Sequence, residues 1–217
     1  MNDPSLPHGC FQLVIFDFDG TLADTYPWFL SIFDELAEHY HLPRLEKSAL
    51  EALRKVDIQN LSREYKISFV KMARIGTHLK QKMASQIEHI PLVDGMQTVI
   101  DRLHDMGIKL AVVSSNAEEN VRQVLGAHNA AYFDAFECGV SLLGKRVKFE
   151  KILRQTGVSP DRALSLGDEV RDLKASRQSG MTFGAVTWGY ADAETLQSHE
   201  PDALFNHPEE ILTLFEG

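Results

Sequence analysis

The chain has 217 residues, 44% of them hydrophobic, with a formal net charge of -9 and a pI near 5.4. That length allows one domain or a core with a smaller insertion, and that hydrophobic share excludes a disordered chain. The acidic balance argues against nucleic acid as a partner but leaves small anionic substrates open, since a bound cation or a few basic residues can reverse the local field.

The first strongly apolar run, residues 12–18 (QLVIFDF), predicts a buried strand. It ends in Asp17 and Asp19, followed at once by Gly20 and Thr21. Residues 23–91 then offer no convincing strand; YPWFLSIFDELAEHY and ISFVKMARIGTHLKQKMASQIEHI carry apolar residues at helical spacing. A strand-to-strand crossover needs only about a dozen residues, so the excess predicts an inserted helical cap over 23–91, with 1–22 and 92–217 forming the core. A helix over 95–107 leads to a strand over 108–116, a helix over 116–127, and then a helix over 148–157. Strands over 163–168 and 182–189 flank a helix over 169–180, and a short strand at 203–206 follows. Strands alternating with amphipathic helices predict an α/β fold: a Rossmann-like, doubly wound parallel sheet with the cap inserted.

In such sheets ligands bind beyond the carboxyl ends of the strands, near the switch in strand order. The polar residues expected there are Asp17 and Asp19, then Ser114, Ser115 and Asn116, then Asp168 with Glu169 and Asp172. Lys145 lies just before a predicted helix. Converging carboxylates repel unless a cation neutralises them, and an all-oxygen donor set suits Mg²⁺. With Lys145 and the Ser114 hydroxyl on the remaining phosphoryl oxygens, the inventory fits phosphoryl transfer. Asp17 can be the nucleophile, and Asp19, on the same side of an extended chain, can act as acid and then base. Gly20 permits the turn, and Thr21 can tie it down.

DFDGTLADT, VVSSN, the lysine in GKRVK, and GDEVRD occur in order along the chain. Together they resemble the four motifs of the haloacid dehalogenase-like hydrolase superfamily, and GYADAETLQSHEPDALFNHPEEIL looks like the end of its phosphoglycolate phosphatase-like branch. The resemblance implies a mobile helical cap and Mg²⁺-dependent chemistry through an aspartyl-phosphate. It implies Asp17 as nucleophile, Asp19 as acid/base, Ser114 and Lys145 on the phosphoryl group, and Mg²⁺ held by Asp17, Asp168 and the Asp19 backbone carbonyl. GKRVK replaces the common Lys-Pro form, which leaves Lys148 as a second candidate; the distance to Gly167-Asp168 favours Lys145. Glu169 stands where serine is usual and Arg171 where asparagine is common.

Other features have two readings each. Ser114 and Asn116 can bind phosphate or cap the next helix. Asp172 can belong to the site or complement a helix amino terminus, and Arg171 reads as a surface or ion-pairing residue. Tyr26 and Trp28 are cap core or pocket wall. Arg54, with Lys55 and Arg63, can face the non-reacting end of a substrate or lie on a solvated helix face. His39-Tyr40-His41 marks a helix end.

The sequence therefore predicts a phosphatase for a small phosphorylated metabolite such as phosphoglycolate. A phosphosugar mutase shares these motifs, and a receiver-type phospho-accepting switch shares the residue inventory. Cys10 and Cys138 lie outside any Cys-x-x-Cys spacing and read as reduced thiols of a cytoplasmic protein. MNDPSLPHG does not read as a signal peptide, and no apolar run is long enough to predict a membrane span.

Overall fold

The computed structural model describes residues 11–43, 54, 67–139 and 144–216. Six strands form one parallel sheet: β1 (Leu13–Phe16), β2 (Lys109–Val113), β3 (Phe133–Glu137), β4 (Ala163–Gly167), β5 (Thr182–Val186) and β6 (Ala203–Phe205). Their order is β3-β2-β1-β4-β5-β6. The chain steps outward from β1 to β2 and β3, then crosses back to β4 on the other side of β1. The order therefore switches at the carboxyl ends of β1 and β4, where doubly wound folds place their ligands. Leu13 pairs with both Lys109 and Ala163, so β1 lies in register between β2 and β4.

Every residue of β1 and β4 is buried. That burial on both faces explains why these strands read as continuous apolar runs rather than alternating ones. Alternate residues feed two cores. Val14, Phe16, Leu110 and Val112 pack with Val99 and Leu103 of α3 (Met96–Asp105) and with Val121 and Leu125 of α4 (Glu118–Ala130). On the other face, Leu13, Ile15, Ala111 and Val113 pack with Phe149 and Ile152 of α5 (Lys145–Thr156) and with Ala175 of α6 (Val170–Gln178).

In the region read as the cap, α1 (Thr25–His39) and α2 (Phe69–Ser85) are described. Lys82 of α2 pairs with Glu35 of α1 at 2.5 Å, and the Tyr40 hydroxyl meets His78 Nδ1 at 3.1 Å. The two connections between this region and the sheet run side by side: Val93 N–H donates to the Leu22 carbonyl at 2.9 Å, and Asp24 N–H to the Pro91 carbonyl at 3.0 Å. A short helix, α7 (Ala193–Ser198), follows β5. No helix among the described residues is long and apolar enough to cross a membrane.

Three elements differ from the sequence expectation. β3 was not expected, because Asp134 and Glu137 interrupt its apolar residues; as an edge strand it needs less apolar surface, and Asp134 Oδ2 accepts the Leu110 N–H at 3.0 Å. α5 begins at Lys145, three positions before the predicted start, so Lys145 opens the helix rather than preceding it. The helix expected over 116–127 breaks at Gly126, with φ 72°, yet continues to Ala130.

Candidate active site

β1 ends at Phe16, and the next turn delivers Asp17 and Asp19 to the carboxyl edge of the sheet. The turn is stitched by backbone bonds: Thr21, Leu22 and Ala23 N–H all donate to the Phe18 carbonyl. Gly20 takes φ +75°, and a Cβ there would lie 2.4 Å from Asp168 Oδ2. Only glycine lets the turn come this close to the neighbouring strand end.

Asp17 is buried and fixed at both oxygens. Oδ1 accepts the Phe18 N–H at 2.8 Å, and Oδ2 lies 2.9 Å from Lys145 Nζ. Lys145 also reaches Asp172 Oδ1 at 2.6 Å. Lys148 faces elsewhere, pairing with Glu137 of β3 at 2.9 Å, where Lys151 also binds. Of the two candidate lysines, Lys145 is the one beside Asp17.

Asp168, at the end of β4, is fully buried. Its Oδ1 accepts the Thr21 hydroxyl at 3.1 Å, and its Oδ2 accepts the Tyr190 N–H at 2.7 Å. Asp172 closes a reciprocal cap with Glu169 at the start of α6, and Glu169 also pairs with Arg171. Arg171 is thus an ion-pairing residue, but it pairs at the site and not on the open surface. Asp172 serves both of its proposed readings, capping its helix while holding Lys145.

Asp17, Asp168, Glu169 and Asp172 each present a carboxylate oxygen, all within 4.8 Å of one another. Burial raises the pKa of Asp17, Asp168 and Glu169; Lys145 opposes it at Asp17, while neighbouring carboxylates add to it at Asp168. An all-oxygen, charge-crowded set fits a hard divalent cation such as Mg²⁺. Both carboxylates expected at the metal, Asp17 and Asp168, are in this cluster; Asp19 is expected there through its backbone carbonyl. The Asp19 side chain is outside it, and Glu169 and Asp172 are inside.

Asp19 faces the other way. Asn116 Nδ2 donates to its Oδ1 at 3.1 Å and Oδ2 at 3.3 Å. Burial, then the charge on Asp17, pushes Asp19 up to about 7, with the Asn116 bond opposing the rise. Ser114 is fully buried, and its Oγ accepts the Asn116 N–H at 2.9 Å, which leaves the hydroxyl hydrogen for another acceptor. Ser115 is half-buried beside it.

The loop after β5 closes over these groups, a contact not legible in the strand and helix pattern. Trp188 Nε1 donates to the Thr21 carbonyl at 3.1 Å, and a Cβ on Gly189 would lie 2.2 Å from Asp168 Oδ2. Tyr190 shares a hydrogen bond with Thr25 Oγ1 at 3.1 Å and stacks edge-on against Tyr26, with centroids 5.3 Å apart. The Trp-Gly-Tyr run is the signal that could have been read, since two aromatics around a glycine beyond a strand end suggest a pocket wall. Trp28 instead binds Gln86 at 2.8 Å. Arg54 lies over the Tyr26 ring, 5.1 Å from its centroid, and donates to the Gly189 carbonyl at 2.9 Å. Lys55 and Arg63 lie outside the described residues, as does Cys10.

This geometry can be set beside known proteins. The chain is 28% identical over 202 residues to a phosphoglycolate phosphatase of Synechococcus elongatus, covering 93% of this chain and 95% of that one. It is 24% identical over 215 residues to the pyrophosphatase PpaX of Bacillus velezensis, covering 92% of this chain and 94% of that one. Its fold matches a haloacid dehalogenase-like family hydrolase from Streptococcus pneumoniae with a TM-score of 0.77 at 18% identity, over 95% of this chain and 99% of that one. The haloacid dehalogenase-like hydrolase model matches residues 14–186, the span from β1 to β5 that builds the carboxylate cluster. The chain belongs to the haloacid dehalogenase-like hydrolases.

Proposed function

We propose that the protein is a Mg²⁺-dependent phosphatase that hydrolyses a small phosphorylated metabolite through a phosphoryl group carried on Asp17. The observation that carries this reading is the division of labour between two aspartates two residues apart. Asp17 is pinned beside Lys145 and the acidic cluster, while Asp19 points away onto Asn116 with its pKa raised to about 7. Two carboxyls in environments this different can take the nucleophile and proton-carrier roles separately.

The Asp17 carboxylate attacks phosphorus as the ester P–O bond breaks, and Asp19 gives its proton to the departing alkoxide. Asp19 then takes a proton from water as that water attacks the Asp17-bound phosphoryl group, and free phosphate leaves. Lys145 offsets the negative charge between Asp17 and the phosphoryl oxygens, and Asp172 keeps its ammonium in place. The Ser114 hydroxyl donates to a phosphoryl oxygen. Asp17, Asp168 and the Asp19 backbone carbonyl would hold Mg²⁺, with Glu169 and Asp172 beside them. Bound there, the ion supplies positive charge against the crowding of carboxylates and phosphate.

The Synechococcus relative makes phosphoglycolate the first substrate to try, and the Bacillus relative puts pyrophosphate in the same panel. The reading predicts release of inorganic phosphate with Mg²⁺ and no bisphosphate activator, loss of release in excess chelator, and its return on adding Mg²⁺. Undiminished turnover in chelator would contradict it. A requirement for a sugar bisphosphate would favour the mutase.

A further inference from the structure

Asp19 is oriented by a chain of amides that reaches into the cap. Asn116 and Asn120, a turn apart on the sequence leading through α4, are each 3% exposed. Asn116 Oδ1 accepts two donors, Ala117 N–H at 2.8 Å and Asn120 Nδ2 at 2.9 Å. Two donors on one atom identify it as the oxygen, because an NH₂ group there would face N–H groups with no acceptor. The Asn116 NH₂ must then point to the opposite side, where it meets both Asp19 oxygens and, at 2.9 Å, Met83 Sδ. If that amide flipped, its carbonyl would face the carboxylate, acceptor against acceptor.

Asn120 is in turn tied to the cap: its Nδ2 also donates to the Lys80 carbonyl of α2 at 3.2 Å. Lys80 and Met83 lie on the same helix, so α2 touches both amides. We propose that Asn120 is a positioning residue: it locks the Asn116 amide, and the locked amide aims the Asp19 carboxyl for proton transfer when α2 is seated on the core. Asn120 touches no reacting atom. It acts through Asn116, and the inference rests on the reading of Asp19 as acid and base.

The test is the dependence of kcat/KM on the leaving group. An alkyl phosphate needs a proton on its departing oxygen, whereas p-nitrophenyl phosphate barely does. Asn120→Leu is near in volume and donates nothing. General acid help is typically about 10²–10⁴ in rate, so a misaimed Asp19 should lower kcat/KM for the alkyl phosphate about tenfold or more. For p-nitrophenyl phosphate the change should stay within about threefold. Asn120→Ser, a smaller change that keeps a hydroxyl at shorter reach, should move the same way by less, and guards against a folding failure of the leucine variant.

Asn129→Leu is the control. Asn129 is a buried asparagine on the same helix that binds Gln97 at 2.7 Å and the Leu125 carbonyl at 2.9 Å, and it should show no leaving-group preference. Equal losses on both substrates in the Asn120 variants, or no loss, would overturn the relay. Asp19→Asn measured alongside separates the two failures. If Asp19→Asn shows the leaving-group split and the Asn120 variants do not, the relay is wrong; if Asp19→Asn shows no split, the acid–base assignment itself has failed.

Discussion

At the residue scale the site is a set of opposed charges, each held by a named partner. Lys145 is the part-buried cation next to Asp17, and Asp172 shares it. Replacing Lys145 with Met removes the charge that the proposed mechanism sets against the phosphoryl group and leaves two buried carboxylates without their ammonium. By analogy with lost transition-state donors, kcat should fall about 10²–10³-fold, with circular dichroism confirming a retained fold. Lys148→Met should leave kcat within about twofold and cost about 1 kcal/mol or less, because Lys148 is partly exposed and Lys151 still binds Glu137. Steady-state assays of the two variants decide between the lysines that the sequence left as alternatives. The residue types of the site were legible: Asp17, Asp19, Ser114 and Asp168 end strands that read as buried, and polar or charged groups in such places are seldom accidental. What Asn116, Glu169 and Arg171 do was not legible, since each depends on which way a side chain turns across a gap closed only by folding.

At the element scale the turn after β1 decides the geometry. Gly20→Ala would force a Cβ to 2.4 Å from Asp168 Oδ2 and 2.8 Å from Tyr190 Cδ2, in a backbone conformation that disfavours any side chain. A shift of Asp168 on the order of 1 Å should lower kcat about a hundredfold. Gly76, in the middle of α2, has nothing within 4 Å of the added carbon and no positive φ. Gly76→Ala should therefore stabilise the protein by about 0.5–1 kcal/mol, measured by urea denaturation, with activity unchanged. The same contrast explains what could be read of the elements. β1, β2, β4 and β5 are buried on both faces and stood out as apolar runs. β3 is an edge with acidic residues and stayed hidden, and the start of α5 slipped because GKRVK is too polar to show helical periodicity.

At the scale of the whole molecule, an acidic protein concentrates buried carboxyls at one sheet edge, and its stability should report it. A carboxyl whose folded pKa is raised lends stability below its unfolded value, near 3.8, and that stability is lost as pH rises through the folded value, about 7 for Asp19. Asp17, Asp168 and Glu169 are raised in the same direction. Without metal, the Asp19 contribution to the melting temperature should therefore fall between about pH 4 and about pH 7, and the other three carboxyls should act in the same direction. Mg²⁺ competes with the protons on Asp17, Asp168 and Glu169, so the rise in Tm that it produces should grow as pH rises in differential scanning fluorimetry; a pH-independent rise would place the ion elsewhere. The central claim, that the phosphoryl group passes through Asp17, is tested most directly by intact-protein mass spectrometry of Asp19→Asn after incubation with p-nitrophenyl phosphate and Mg²⁺. Phosphorylation does not need the acid with this leaving group, but dephosphorylation needs the base. The protein should gain the mass of one phosphoryl group, lose it to hydroxylamine, and map it to Asp17, while the Asp17→Asn/Asp19→Asn double variant keeps its original mass. A phosphoryl group on any other residue, or on the double variant, would contradict the account.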